Sequence, residues 1–310
     1  MRKITLLLIG MGILLSSRLF AQHSYSGIFH KTSATHIYLY QIPWEELITR
    51  NDELVKDSFQ LVDLEAVAVG GEVSFWGIWQ KTTRKARIER ASGWENIIKV
   101  KRRMEKEGYT LIDIEGYRGP SGADLFVGVW IPGGKAQKLW NLDSWEGLLK
   151  NTARQSQEYF QLVDVEVYID EWGATNYLAV YHKLAPSERG HLVRSDDAET
   201  FYRERTRRRK SGYTMVDFET FDQNGQTFLI GMYKQEAATE KDCNRLDWAS
   251  FVTYQDQLDE QYRLVDLEVS TGDGRLMVPA YHTSRLEATP SLSQEVVSSM
   301  IRAAEDEHST

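Results

Sequence analysis

The sequence predicts an α+β fold of tandem helix–β-hairpin repeats, with the helices covering one face of a curved sheet. Three observations carry this. A five-residue pattern recurs: LVDLE at 61–65, LIDIE at 111–115, LVDVE at 162–166, MVDFE at 215–219 and LVDLE at 264–268. Its Asp residues stand 50, 51, 53 and 49 residues apart, a period that marks one supersecondary unit per copy. An aromatic residue follows each pattern at a nearly fixed distance: Trp79, Trp130, Tyr181, Tyr233 and Tyr281. Between pattern and aromatic lie GG, GPSG, DEWG, DQNG and TGDG, which is hairpin turn chemistry.

The chain starts with a basic tripeptide, Met1-Arg2-Lys3, followed by an almost wholly apolar run from Ile4 to Leu15 and a small residue at Ala21. That order predicts a signal peptide over residues 1–21, cleaved near Ala21, and therefore export to the periplasm or the medium. The run is shorter than the ~20 apolar residues of a membrane span, so no transmembrane segment is expected after cleavage. Cys243 is the only cysteine of the 310 residues, so an exported chain must hold together without an internal disulfide. The net charge of −8 offers no general attraction to nucleic acid.

The repeat domain spans 22–290. It opens on half a unit, YSGIFHKT at 25–32, which matches FWGIWQKT at 75–82. Five units of about 50 residues follow, and the segment 291–310 reads as a capping helix. Each unit reads as helix, strand, strand. In SGWENIIKVKRRMEKEGY, Trp94, Ile97, Ile98 and Met104 recur at helical spacing. Trp44, Trp145 and Trp248 take the place of Trp94 in other units, and Ala198 takes it in the fourth. Ser92-x-x-Glu95, Asp143-x-x-Glu146 and Asp196-x-x-Glu199 read as capping boxes, and Gly108 and Gly212 as helix ends. On the first strand of each hairpin, strict alternation would place Leu61, Asp63 and Glu65 on one face and Val62, Leu64 and Ala66 on the other.

The unit, with its GY-LVD-E segment, its turn glycine and its GVW-like second strand, resembles the repeat called bacterial tandem repeat domain 1. That repeat also builds the non-catalytic N-terminal half of polyglycine hydrolases. The resemblance covers about residues 25–285. It implies helices packed on a bent sheet, as an open half-barrel; a closed, propeller-like ring is the alternative. The hydrolases carry their activity on a separate domain with a Ser-x-x-Lys nucleophile motif, and this chain contains no Ser-x-x-Lys. The resemblance therefore implies the scaffold and not the protease.

The candidate sites are weighed against that repetition. The acid pairs Asp63/Glu65, Asp113/Glu115, Asp164/Glu166, Asp217/Glu219 and Asp266/Glu268 could serve two-carboxylate catalysis or ligand binding. An active site is a single asymmetric place, however, and a feature present in every copy usually specifies the copy. The expectation is that each carboxylate accepts hydrogen bonds from a neighbouring unit. Trp79, Trp130, Tyr181, Tyr233 and Tyr281 are candidates for a stacking rim, and Trp172 is the best single candidate for an exposed contact because nothing in the repeat demands it. His30, His182 and His282 share one place in the unit and read as strand-end polar residues rather than zinc ligands. DQNGQ and STGDG fall short of a calcium loop. The basic run RERTRRRK at 203–210 reads as a solvated helix face. No metal or cofactor is implied. The reading is a secreted, non-catalytic module for an extracytoplasmic peptide, glycan or protein partner. The alternatives are a hydrolase using one acid pair and a structural envelope component.

Overall fold

The structure is a computed structural model that describes residues 23–69, 72–185, 190–235, 239–258 and 261–271. The expected signal peptide, the expected capping helix, Tyr281 and His282 lie outside them. Each unit contains one strand more than the sequence pattern revealed. The first unit runs β2 (His36–Ile42), α1 (Trp44–Lys56), β3 (Phe59–Val69), β4 (Glu72–Lys81). The second runs β5 (Arg87–Ser92), α2 (Trp94–Lys106), β6 (Tyr109–Arg118), β7 (Asp124–Pro132). The third runs β8 (Gln137–Leu142), α3 (Trp145–Gln157), β9 (Phe160–Ile169), β10 (Thr175–Lys183). The fourth runs β11 (His191–Ser195), α4 (Ala198–Lys210), β12 (Tyr213–Gln223), β13 (Gln226–Gln235). The fifth supplies β14 (Glu240–Leu246), α5 (Trp248–Gln257) and β15 (Tyr262–Thr271).

In the first four units the three strands form one antiparallel sheet, with the hairpin's second strand in the middle: β2-β4-β3, β5-β7-β6, β8-β10-β9 and β11-β13-β12. The outer and inner strands are both antiparallel to the middle one. They therefore run parallel to each other, which requires a long crossover, and the helix is that crossover. The fifth sheet differs. Its middle strand is β1 (His23–Lys31), from the expected half unit, and its order is β14-β1-β15.

This placement corrects the expected open half-barrel. The inner strands pack in a cycle: β3 on β6, β6 on β9, β9 on β12, β12 on β15, and β15 back on β3. The apolar cores follow the same cycle. One joins Leu61, Leu64 and Trp79 of the first unit to Val127 and Val129 of the second. Another joins Tyr25, Phe29, Phe251 and Leu264 of the fifth sheet to Val67, Trp76 and Ile78 of the first. No described sheet closes on itself; the units close by following one another round. The half unit at the start is the strand that makes the ends meet.

The helices dock through the third residue after their first: Leu47, Ile97, Leu148, Phe201 and Phe251 are fully buried. Their leading tryptophans pack on the middle strands, with Trp44 against Phe75 at 5.5 Å, Trp94 against Phe126 at 5.7 Å and Trp248 against Tyr25 at 5.0 Å between ring centroids. The caps sit one residue later than the expected boxes. Ser144, Asp197 and Asp247 accept from the N–H of Gly147, Thr200 and Ser250, and Gly93 takes the α2 position without a side-chain bond. Past the helix ends the backbone turns left-handed at Gly108 and Gly212, as read from the sequence. It also does so at Ser58 (φ 65°) and Tyr159 (φ 63°), where a side chain makes that conformation costly.

Candidate functional site

The inner strand does not alternate simply. In all five sheets its register against the middle strand shifts between the first Leu (or Met) of the pattern and the Asp: Leu61/Asp63, Leu111/Asp113, Leu162/Asp164, Met215/Asp217 and Leu264/Asp266. One extra residue is accommodated there as a β-bulge. The bulge resets the alternation. Leu61 and Leu64 therefore share one core, as do Leu111 with Ile114, Leu162 with Val165, Met215 with Phe218, and Leu264 with Leu267. The face expected to carry Leu61, Asp63 and Glu65 together thus loses its leucine to the core. The two acids stand alone on the side toward the neighbouring unit.

There they meet the preceding unit's inner strand along its free edge, whose N–H groups the middle strand does not reach. Leu267 N donates to Asp63 Oδ2 at 3.1 Å, and Val165 N to Asp217 Oδ2 at 3.0 Å. Ala66 N donates to Glu115 Oε2 at 3.3 Å. Ile114 N donates to Asp164, and Thr220 N to Glu268. Every junction of the cycle has such a bond, always from one unit's backbone to the following unit's acid; the first unit follows the fifth. An unpaired edge is a liability in a sheet protein, and here the acids cover it.

Further polar groups join the same seams. His30 Nε2 donates to Met215 O at 2.9 Å and His182 Nε2 to Leu111 O at 2.6 Å. Both histidines bind the preceding unit. Gln137 accepts from Leu111 N at 2.6 Å and donates to Tyr109 O at 3.0 Å, while Glu240 accepts from Met215 N at 2.6 Å. Glu240 is held in turn by Arg205 at 3.0 Å, which also pairs with Asp242 at 2.5 Å. Arg205 thus gives one member of the basic run 203–210 a buried structural role. Sequence reasoning missed Gln137, Glu240 and Arg205, because each lies in a strand or helix position whose residue changes from unit to unit.

Eight of the ten acids are buried, and Asp63 and Asp164 keep only partial exposure. Burial and crowding alter their protonation. Burial, eased by the Leu267 N–H, lifts the Asp63 carboxyl from its ordinary 3.8 to about 8. Burial lifts Asp217 to about 7, with the Val165 N–H and the Lys234 ammonium holding it from going further. Glu65 is pushed well above the usual range by burial and then by Glu115, Glu268 and Glu219. Glu166 is raised by burial and then by neighbouring glutamates, Glu115 first, and it shares a side-chain hydrogen bond with Glu219. Such a bond between two carboxyls needs a proton on one of them. Asp113, Glu115, Asp164, Asp266 and Glu268 are likewise raised, first by burial. Like charges this close and this dry cannot all ionise. Among the described residues, no group of three or more His, Cys, Asp or Glu side chains is arranged to hold a metal ion.

The rim candidates are corrected by their burial. Trp79, Trp130 and Tyr181 are 0% exposed and Tyr233 is 1% exposed. They anchor the middle strand to the helix: Trp79 Nε1 donates to Asn51 Oδ1 at 3.2 Å, and Asn151 Nδ2 to the Tyr181 hydroxyl at 3.3 Å. In α2 the position matching Asn51 is Lys101, which has no acceptor to offer, and Trp130 Nε1 finds no partner among the described residues. Trp172 is the opposite case, 80% exposed. Its turn is held rigid by Asp170, whose Oδ1 accepts from Trp172 N at 3.0 Å and Ala174 N at 2.8 Å. Arg118 of the second unit donates to Asp170 O at 2.6 Å.

Residues 39–82 and 102–132 match the family model described as polyglycine hydrolase-like, structural repeat. The matched residues lie in the first two units, which are similar to that repeat. The third and fourth units share their strand–helix–strand–strand order and, with the fifth, their bulge. In each of these units an acid of the recurring pattern is spent on the preceding sheet's edge. No curated protein matches the chain. Among the described residues no helix is long and apolar enough to cross a membrane.

Proposed function

We propose that the chain is an exported, non-catalytic repeat module that binds a peptide, glycan or protein partner, with the hairpin tip at Trp172 as its contact point. The single observation that carries this is the exposed indole on a clamped turn. The corresponding turns GG, GPSG and DQNG carry no aromatic residue, so neither the repeat nor the core requires one there. An aromatic ring offers flat apolar area with a polar edge, and a pre-ordered turn lowers the entropic cost of using it. The acid pairs support a scaffold rather than a catalyst, since all five stand at the same bulge and each junction consumes at least one carboxylate.

The test is a glycan and peptide array probed with the mature protein and with Trp172→Ala. A ligand retained by the first and lost by the second, with unchanged thermal unfolding, supports the reading. The hydrolase alternative predicts a turnover that Asn and Gln at one acid pair abolish and the same change in other units does not. The envelope-component alternative predicts that Trp172→Ala changes no binding at all.

A further inference from the structure

Two seams between a helix and the following unit's outer strand are built on the same plan and filled differently. At the fourth unit Arg205, the eighth residue of α4, reaches across to β14, where it meets Glu240 at 3.0 Å and Asp242 at 2.5 Å. At the second unit the eighth residue of α2 is Lys101, and the strand it faces is β8. Gln137 of β8 stands where β14 has Glu240. It accepts from Leu111 N as Glu240 accepts from Met215 N, and the two lie opposite His182 and His30 in their sheets. Two residues further on, β14 carries Asp242 and β8 carries Leu139. The second seam therefore keeps its cation and lacks the carboxylate that the next strand would bring to it.

A cleft of about 220 Å³ opens there, between Ile98, Lys101 and Arg102 of α2 and residues 137–140 of β8. Lys101 has Glu105 of its own helix at 2.6 Å and reaches Gln137 O only at 3.4 Å. Lys138 is turned away, to Gln155 at 2.7 Å and Glu158 at 2.6 Å. Arg102 is exposed and has no partner among the described residues, so Lys101, Arg102 and Glu105 together leave a positive charge uncompensated. Trp140 Nε1 is buried and also without a partner among them, and a buried donor left unpaired calls for an acceptor. The strand edge is open as well. Ala136 O accepts from Lys183 N at 2.8 Å, so every second residue of β8 turns its backbone to β10. Leu139 then turns its N–H and C=O outward, to the edge from which Lys101 approaches.

We infer that this cleft binds the C-terminal residue of a peptide. Its carboxylate takes, at Lys101 and Arg102, the place that Asp242 holds at Arg205. Its apolar side chain rests on Ile98, Leu139 and Trp140, and its backbone meets the open edge at Leu139. Arginine is suited to the task because its guanidinium can grip both oxygens of a carboxylate. Capture of a terminal carboxylate and addition to a strand edge are both general modes of peptide recognition. The volume lies below the ~300–1,000 Å³ of pockets for drug-sized ligands, so a single residue enters. The apolar walls and the strand edge favour a peptide over an acidic sugar. The site is separate from the Trp172 turn: residues 137–140 pair with 179–182, toward the other end of β10.

The test titrates the full chain with N-acetyl-leucine at low ionic strength and follows the indole N–H of Trp140 by NMR, its signal assigned by its absence in Trp140→Phe. The acid should move that signal saturably, and the neutral N-acetyl-leucinamide should not. Lys101→Asn and Arg102→Gln should each weaken binding about tenfold or more, the worth of one charge-assisted hydrogen bond. Neither change threatens the fold: Asn51 stands in the place of Lys101 in the first unit, and Arg102 is exposed. Trp172→Ala should bind as the wild type does. No saturable shift at millimolar acid overturns the proposal, as does an equal response to the amide. Binding untouched by both Lys101→Asn and Arg102→Gln, or lost in Trp172→Ala, shows that the ligand sits elsewhere and overturns it too. Glucuronate binding more tightly than N-acetyl-leucine overturns the peptide in favour of an acidic sugar.

Discussion

Raising the pH should weaken this protein, and Asp63→Asn should remove part of the effect. The Asp63 carboxyl is held at about 8 against an ordinary 3.8. A group raised in the folded state contributes its full stability below the unfolded value. That contribution is lost as the pH climbs through the folded value. The window here is therefore about pH 4 to 8. A tenfold change in proton affinity is worth about 1.4 kcal/mol, so Asp63 alone accounts for roughly 6 kcal/mol across that window on the same constant. Asp217, at about 7, contributes in the same direction by roughly 4 kcal/mol on that constant, and its proton is coupled to that of Asp63, so the two do not simply add. For a chain of this size about 6 kcal/mol corresponds to a fall in Tm of roughly 12–24 °C. The assay is urea unfolding followed by tryptophan fluorescence at pH 5, 6, 7, 8 and 9. The wild type should lose stability steadily over that range. Asp63→Asn should lose it with a slope smaller by up to one proton and should be the more stable protein at pH 8. Stability that rises from pH 5 to 8, or an unchanged slope in the variant, would refute the reasoning.

Other outcomes follow from single contacts. At pH 5, Asp217→Ala and Glu115→Ala should each cost about 1–3 kcal/mol by leaving the Val165 and Ala66 N–H groups unpaired; chemical denaturation reads both, and similar losses in different units mark a scaffold role. Arg205→Met should cost about 3–5 kcal/mol, since it leaves Glu240 and Asp242 without their shared partner in a buried seam; a change under about 1 kcal/mol, the level of an exposed pair, would show the seam to be solvated. Tyr159→Gly should stabilise by about 1 kcal/mol or more in thermal unfolding, relieving a left-handed backbone at a residue that is 57% exposed. Asp197→Ala should cost about 1 kcal/mol in the same measurement through the lost cap on α4.

The repeat was legible in the sequence because it is written in residues that cannot vary without cost. Leu and Asp hold the bulge, the aromatic residue anchors the middle strand, and turn residues close the hairpin. The outer strand was not legible. HIYLYQI, RIERAS, QKLWNL, HLVRS and EKDCNRL share no pattern, because an edge strand buries little and each copy answers to a different helix. The bulge escaped for a related reason: a period-2 reading of Leu61 to Glu65 is self-consistent, and only the pairing with Trp79 and Ile78 shows the extra residue. Closure was half visible. YSGIFHKT announced a spare middle strand, but nothing local says that its partners lie more than 200 residues away, at Cys243 and Leu267. The rim reading failed at Trp79, Trp130, Tyr181 and Tyr233 because hairpin ends in this fold face a helix, and a strand-by-strand view has no helix in it.

The central claim is that acids of one unit close the cycle on the backbone of the previous one, and the bond between Leu267 N and Asp63 tests it where the ends of the chain meet. The amide proton of Leu267, followed by NMR from pH 5 to 9, should move with a midpoint near the Asp63 value of about 8 and become indifferent to pH in Asp63→Asn. A Leu267 amide that ignores both the pH and the substitution would contradict the closed cycle and the protonation that goes with it.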